Sequence, residues 1–363
     1  MAIVVVKIGT SSLADTSGRL RDDVVGALVA DLVSVRAAGH QPVLVTSGAI
    51  ACGLERLGIT ERPTAVPDLQ AASAVGQGIL FEHYLRTFAT HGVAAAQVLL
   101  TRADLDRRQT YVNARNTLAR LLELGAVPII NENDTTATDD ITFGDNDVLA
   151  ALVAVQMEAR WLVLLTDRDG LYGPGPDGPQ LIGQVPDGVA PEDVELATLA
   201  GTTQGRGGIN SKIASASMAV AEGIATVIAS GAARHVVSRA VRGELVGTHF
   251  PSGSGSRSAF KVWLRYARMP SGAITIDDGA ATALVERGTS LLPVGVTACS
   301  GGFQVGDVVE VITGDGLVVG KGVAAMSESQ VTAVAGMSSA AAREAQPGFP
   351  GEVIHRDQFV LIG

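Results

Sequence analysis

At 363 residues, 47% hydrophobic and 4% aromatic, with 43 glycines, the chain can bury a full core and reads as a two-domain α/β protein, not a disordered or fibrous one. A net charge of −10 disfavours nucleic acid as the main partner, because phosphate binding is carried chiefly by Lys and Arg. The two cysteines, Cys52 and Cys299, are far apart and suggest neither a disulfide framework nor a zinc site, which suits a reducing compartment.

The start, MAIVVVKIGT, lacks a basic n-region, and the richest apolar stretch further on is interrupted by Glu158 and Arg160. A cytoplasmic protein that neither is secreted nor crosses a membrane is expected. Strand-like runs at 2–8, 42–46, 94–100, 127–131, 161–166 and 225–230 alternate with helix-like runs at 21–38, 67–90, 104–124, 144–158 and 209–222. This alternation predicts an open αβα sandwich with a mostly parallel central sheet. The strands are apolar throughout, as expected when helices cover both faces. Ligands bind such sheets at the carboxyl ends of the strands, so Lys7, Ser47, Asn131, Asp134, Thr166, Asp167 and Ser230 are expected along one edge.

From about residue 252 the pattern changes, with PSGSGSRS reading as a flexible break. Arg257, Phe260, Lys261, Trp263, Arg265, Tyr266 and Arg268 then form a basic, aromatic-interleaved stretch. It reads either as a nucleic-acid strip or as the last amphipathic segment of the first domain, with cations left wet. After Gly272, the runs AITID, FQVGDVVEVI, GLVVGKGVA and QVTAVAG, separated by glycine turns, predict a small β-rich domain. The expected domains are 1–266 and 271–363.

The stretch NENDTTATDDITFGDND, residues 131–147, holds Glu132, Asp134, Asp139, Asp140, Asp145 and Asp147 with no Lys or Arg. Two carboxylates about 4 Å apart repel by about 4 kcal/mol at the effective dielectric near a protein surface, so a compact loop needs cations nearby. Helix capping accounts for one or two of these acids. Lys7 ends an apolar strand and meets Gly9, Thr10, Ser11 and Ser12, which reads either as a snorkelling lysine or as a phosphate cradle. The segment GRGGINSK, residues 205–212, reads as a glycine-rich loop entering a helix whose first turn carries Lys212. A cation there opposes the helix dipole unless an anion joins it. Ser211 stands where a P-loop requires Gly, so this is a phosphate loop of another kind.

Other patterns carry nothing. GPGPDG at 173–178 satisfies GxGxxG formally, but its prolines and the lack of a following helix make it a turn. There is no HExxH and no EF-hand spacing, and the Asn133-Asp134-Thr135 sequon has no signal peptide to give it meaning. Two lysines, two glycine-rich segments and a carboxylate cluster at one sheet edge suit phosphoryl transfer, where positioning and charge do most of the work.

KIGTSS at 7–12, TSGAIACG at 46–53, NENDT at 131–135, FGDND at 143–147, TDRDGLY at 166–172 and GRGGINSK at 205–212 resemble the glutamate 5-kinases of the amino-acid kinase superfamily. AITIDDGA, GTSLLPVGV and FQVGDVVEV in the tail resemble a PUA domain. The resemblance implies transfer of the γ-phosphoryl group of ATP, carried with Mg²⁺, to the side-chain carboxylate of L-glutamate; it assigns no residue to a metal. It assigns Lys7 and Lys212 to the transferring phosphoryl group, Asp147 to holding both lysines, and Ser47, Asp134 and Asn146 to glutamate. Lys7, Gly9, Thr166, Asp167, Arg206, Gly207, Gly208, Ile209, Asn210, Ser211 and Lys212 would bind ATP. Arg206, Ile209 and Ser211 depart from the usual Gly-Thr-Gly-Gly-Met-x-Thr-Lys pattern. Feedback inhibition by proline, homo-oligomerisation and hand-off of a labile acyl phosphate to glutamyl phosphate reductase are also implied. The alternatives are a sister kinase acting on acetylglutamate, aspartate or carbamate, and an RNA-binding protein led by the PUA domain. Four cations against ten acids in 271–363 speak against the last.

Overall fold

The structure is a computed structural model. It describes all residues except 16, 107, 138–144, 187, 188, 190, 192, 193, 195, 197–204, 253–263, 265–269, 347 and 363, and except the side chains of 106, 108, 109, 145 and 205–207. The chain divides into two compact units, Met1–Ser256 and Arg257–Gly363. The expected limits at 266 and 271 border 265–269, outside the described residues, as does most of the basic, aromatic-interleaved stretch.

The first unit runs β1 (Ile3–Ile8), α1 (Thr10–Leu13), α2 (Asp22–Ala37), β2 (Gln41–Val45), α3 (Ala49–Leu57), α4 (Val66–Thr90), β3 (Ala95–Leu100), α5 (Arg102–Asp106), α6 (Arg108–Glu123) and β4 (Val127–Glu132). It continues with α7 (Asp145–Gln156), β5 (Trp161–Thr166), β6 (Tyr172–Gly173), β7 (Gln180–Leu181), α8 (Gly205–Ala221), β8 (Ala225–Ser230), α9 (Val236–Val241) and β9 (Thr248–Phe250). Seven strands form one sheet in the order β3-β4-β2-β1-β5-β8-β9. All neighbours are parallel except β9, which runs antiparallel to β8 at the edge. The strand order reverses direction at β1, between β2 and β5, so the crevice above Lys7 is the topological switch point where α/β sheets bind ligands. Val4, Val5, Val6, Leu44, Ile129 and Val163 are fully buried, in keeping with strands covered on both faces.

Each of the six predicted strands of this sheet is present. Over the expected helix 104–124 the structure describes α5 and α6, with residue 107 between them outside the described residues, and α3 was not anticipated: Gly53 in its interior lowers helix propensity and hides the pattern. That glycine has a packing role. A Cβ on Gly53 would lie 1.7 Å from the Ala72 carbonyl oxygen of α4, and one on Gly76 of α4 would lie 1.8 Å from the Ala49 carbonyl oxygen of α3. The two helices therefore touch backbone to backbone. The contact fixes the start of α3, where Gly48 has φ +106, against the middle of α4. GPGPDG spans the turn between β6 and β7, as expected.

The second unit has the sheet order β11-β10-β12-β13-β14, formed by β10 (Gly272–Ile276), β11 (Val296–Ser300), β12 (Val308–Thr313), β13 (Val318–Val323) and β14 (Phe359–Leu361). Its core gathers Ile274, Leu284, Phe303, Val309, Val311 and Ile354. QVTAVAG, expected as a strand, is instead mostly helix, Glu328–Val334. Ser327 and Gln330 close a capping box at its start, which outweighs the strand preference of Val331, Thr332 and Val334.

Gly76→Ala is expected to destabilise the first unit by roughly 1–3 kcal/mol or more, because backbone, not a flexible side chain, occupies the space. Urea unfolding followed by circular dichroism measures this, and an unchanged midpoint would contradict the packing account.

Candidate active site

Lys7 is the penultimate residue of β1, two places before the chain turns at Gly9, where an added Cβ would lie 3.4 Å from Lys7 Nζ. Lys212 lies on α8, the helix that follows β5 and packs against α7. Both reach Asp147, the third residue of α7. Lys7 Nζ is 2.6 Å from Asp147 Oδ1, and Lys212 Nζ is 3.0 Å from Oδ2. The carboxylate is 1% exposed, Lys7 5% and Lys212 13%. Burial by itself would raise the Asp147 pKa; the two ammonium groups outweigh it and hold the carboxyl below its ordinary value.

Lys212 was expected in the first turn of its helix, after a glycine-rich loop. The structure starts α8 at Gly205, so GRGGIN is helical and Lys212 sits two turns in. The unfavourable dipole position is thus relieved, and Asp147 supplies the counter-charge directly. Gly208, Ile209, Asn210 and Ser211 form the turns preceding Lys212, and the Gly208 carbonyl is 3.5 Å from Lys212 Nζ. Arg206 and Gly207 fall within the same helix, with side chains outside the described set.

Asn146, next to Asp147, faces a second group. Its Nδ2 donates to Ser47 Oγ at 3.2 Å and to Asn131 Oδ1 at 3.1 Å, and its Oδ1 accepts from the Glu132 N–H at 3.2 Å. Asn131 Nδ2 donates to Gln77 Oε1 at 2.8 Å. One turn earlier on α4, Ser73 Oγ donates to Asp134 Oδ2 at 2.5 Å. Ser47 follows Thr46, whose hydroxyl pairs with the buried Tyr84 hydroxyl at 3.0 Å. The start of α7 thus joins two clusters, with lysines on one side and small polar groups on the other.

Thr166 ends β5 beside Lys7's strand and Asp167 follows it, the two joined by a 3.1 Å hydrogen bond from Thr166 Oγ1 to Asp167 Oδ1. The Gly231 N–H after β8 donates to the Thr166 carbonyl at 2.8 Å, so this strand end is ordered against its neighbour. Of the six acids in 131–147, Asp139, Asp140 and the Asp145 side chain lie outside the described residues. The lysine pair meets Asp147. Asp134 meets Ser73, and Glu132 is buried. Ser73 and Gln77 were not anticipated, although their i, i+4 spacing among small residues on α4 would have placed them on one face. Among the described residues no group of three or more His, Cys, Asp or Glu could hold a metal ion.

Asp147 holds two lysines at the switch point of a parallel sheet, and the family model for "Amino acid kinase family" matches residues 2–230. The model for "PUA domain" matches 272–345. A glutamate 5-kinase from Gloeobacter violaceus is 45% identical over 100% of both chains. Glutamate 5-kinases from Cutibacterium acnes and Streptomyces avermitilis are 46% and 45% identical over 99% of this chain and 92% and 96% of theirs. The chain belongs to the amino acid kinase family, in its glutamate 5-kinase branch.

The low Asp147 pKa has a consequence for stability. A carboxyl whose folded value lies below its unfolded one stabilises fully above the ordinary value of 3.8, and that contribution is lost as pH falls through the folded value. Asp147→Asn should therefore cost about 3 kcal/mol at pH 7, and the gap to wild type should close on acidification below the ordinary carboxylate range. Urea midpoints of both proteins from pH 7 downward test this, and a gap that widens toward low pH would contradict it.

Proposed function

We propose that the chain transfers the γ-phosphoryl group of ATP to the side-chain carboxylate of L-glutamate, giving L-glutamyl 5-phosphate and ADP, the first step of proline biosynthesis. The observation that carries this reading is the pair of lysines on Asp147, one residue from the Asn146 network. A bond forms between a glutamate carboxylate oxygen and the γ-phosphorus while the bond to the bridging oxygen of ADP breaks. The carboxylate is already anionic at neutral pH, so no general base is needed.

The difficulty is the approach of two anions. Lys7 and Lys212 supply positive charge where negative charge gathers, and Asp147 keeps them in place before substrate arrives. Ser47 and Asn146 orient the amino acid, and Asp134 takes its ammonium group. Thr166, Asp167, Gly9 and the α8 start from Arg206 to Ser211 receive the nucleotide. Mg²⁺ would arrive with the nucleotide phosphates, as it usually does when bound through substrate and few carboxylates. A free α-amino group opposite Asp134 favours glutamate over acetylglutamate. The same proposal includes proline as feedback inhibitor, a homo-oligomer, a cytoplasmic location and hand-off of the labile acyl phosphate to glutamyl phosphate reductase. Among the described residues no helix is long and apolar enough to cross a membrane.

Hydroxylamine trapping of acyl phosphate, run with glutamate, acetylglutamate, aspartate and carbamate, tests the reading. Hydroxamate should form with glutamate. Lys212→Ala should lose roughly 10²- to 10³-fold in kcat while remaining folded. Near-normal turnover in that variant would remove Lys212 from the mechanism.

A further inference from the structure

One backbone N–H sets the direction of the amide chain in this site. The Glu132 N–H can only donate, so the Asn146 atom facing it is the oxygen. The Asn146 nitrogen then faces Ser47 and Asn131, which makes the Asn131 atom on that side Oδ1. Asn131 Nδ2 is left facing α4, where Gln77 Oε1 accepts it at 2.8 Å. Asn131 and Gln77 are buried, and Gln77 Nε2 has no partner among the described residues. A buried donor such as Asn131 Nδ2 needs an acceptor, and Gln77 Oε1 is the one it meets.

The other end of the chain shows what the polarity achieves. Ser47 Oγ accepts from Asn146, so its own proton is left to donate. A donating hydroxyl matches a carboxylate. In the reversed chain Ser47 would donate to Asn146 and present only lone pairs, which a carboxylate repels.

We propose that Gln77 is a positioning residue for the amino-acid substrate: the Glu132 N–H holds Asn146 from one side, the Gln77 side-chain oxygen holds Asn131 from the other, and the two anchors together keep the Ser47 hydroxyl directed to donate to a substrate carboxylate. This rests on the glutamate kinase reading above. Gln77 acts through its neighbours and takes no part in bond making.

Steady-state kinetics of the full chain by hydroxamate formation test it. Gln77→Leu removes the acceptor, whereas Gln77→Glu keeps an oxygen in its place. The leucine variant should raise the glutamate KM about tenfold or more and leave the ATP KM and kcat within about threefold. The glutamate variant should stay within about threefold of wild type in all three. Ser47→Ala should also raise the glutamate KM, and adding Gln77→Leu to it should change little, because the directed proton is already gone. An unchanged glutamate KM in the leucine variant, equal losses for both substrates, equal damage from the glutamate variant, or additive effects with Ser47→Ala would each overturn the inference. Should the leucine variant fail to fold, Gln77→Met replaces it in the same cycle. Wild-type protein that forms no hydroxamate would remove the kinase reading and this inference together. Wild-type turnover with a flat Gln77 series would remove this inference alone.

Discussion

Two lysine ammonium groups, one from the first strand and one from a helix near the far end of the same domain, would repel each other across a shared cleft without a buried carboxylate between them. Asp147 supplies that charge. It sits at the start of α7, where an anion also suits the helix dipole, and each of its oxygens meets a different lysine. One carboxylate against two cations leaves the trio net positive. The proposed function places the terminal phosphoryl group of the nucleotide, also an anion, against this pair.

The polar half of the site depends on a different constraint. Ser47 precedes α3, Asn131 lies near the end of β4 and Asn146 in the first turn of α7, and the polar group they form reaches α4 through Gln77. The mutual contact of Gly53 and Gly76 sets the distance between α3 and α4 at backbone contact. It also brings Ser73 and Gln77 under the strand ends that carry Asp134 and Asn131. Glycines with no chemistry of their own thereby position groups that have it.

Much of this was legible in the residues. The apolar strand runs marked the sheet, and KIGTSS, NENDT and GRGGINSK marked the segments that carry Lys7, Asp134 and Lys212. What escaped has physical reasons. α3 is short, small and interrupted by Gly53, so it carries no clear period. Glu328–Val334 is rich in β-branched residues, and its helix depends on the Ser327 cap, a signature that was in view. Gln77 and Ser73 look like ordinary polar positions of a helix; only their partners 54 and 61 residues away give them a role. GRGG was expected as a loop because glycines suggest one, yet α8 begins with it, and Lys212 owes its placement to Asp147 more than to the helix end.

The most direct test is a crystal structure with glutamate and a non-hydrolysable ATP analogue bound. Nζ of Lys7 and of Lys212 should each lie within about 3.2 Å of an oxygen of the terminal phosphoryl group, with Asp147 still touching both. A complex in which either nitrogen stays out of hydrogen-bonding reach of that group would contradict the account.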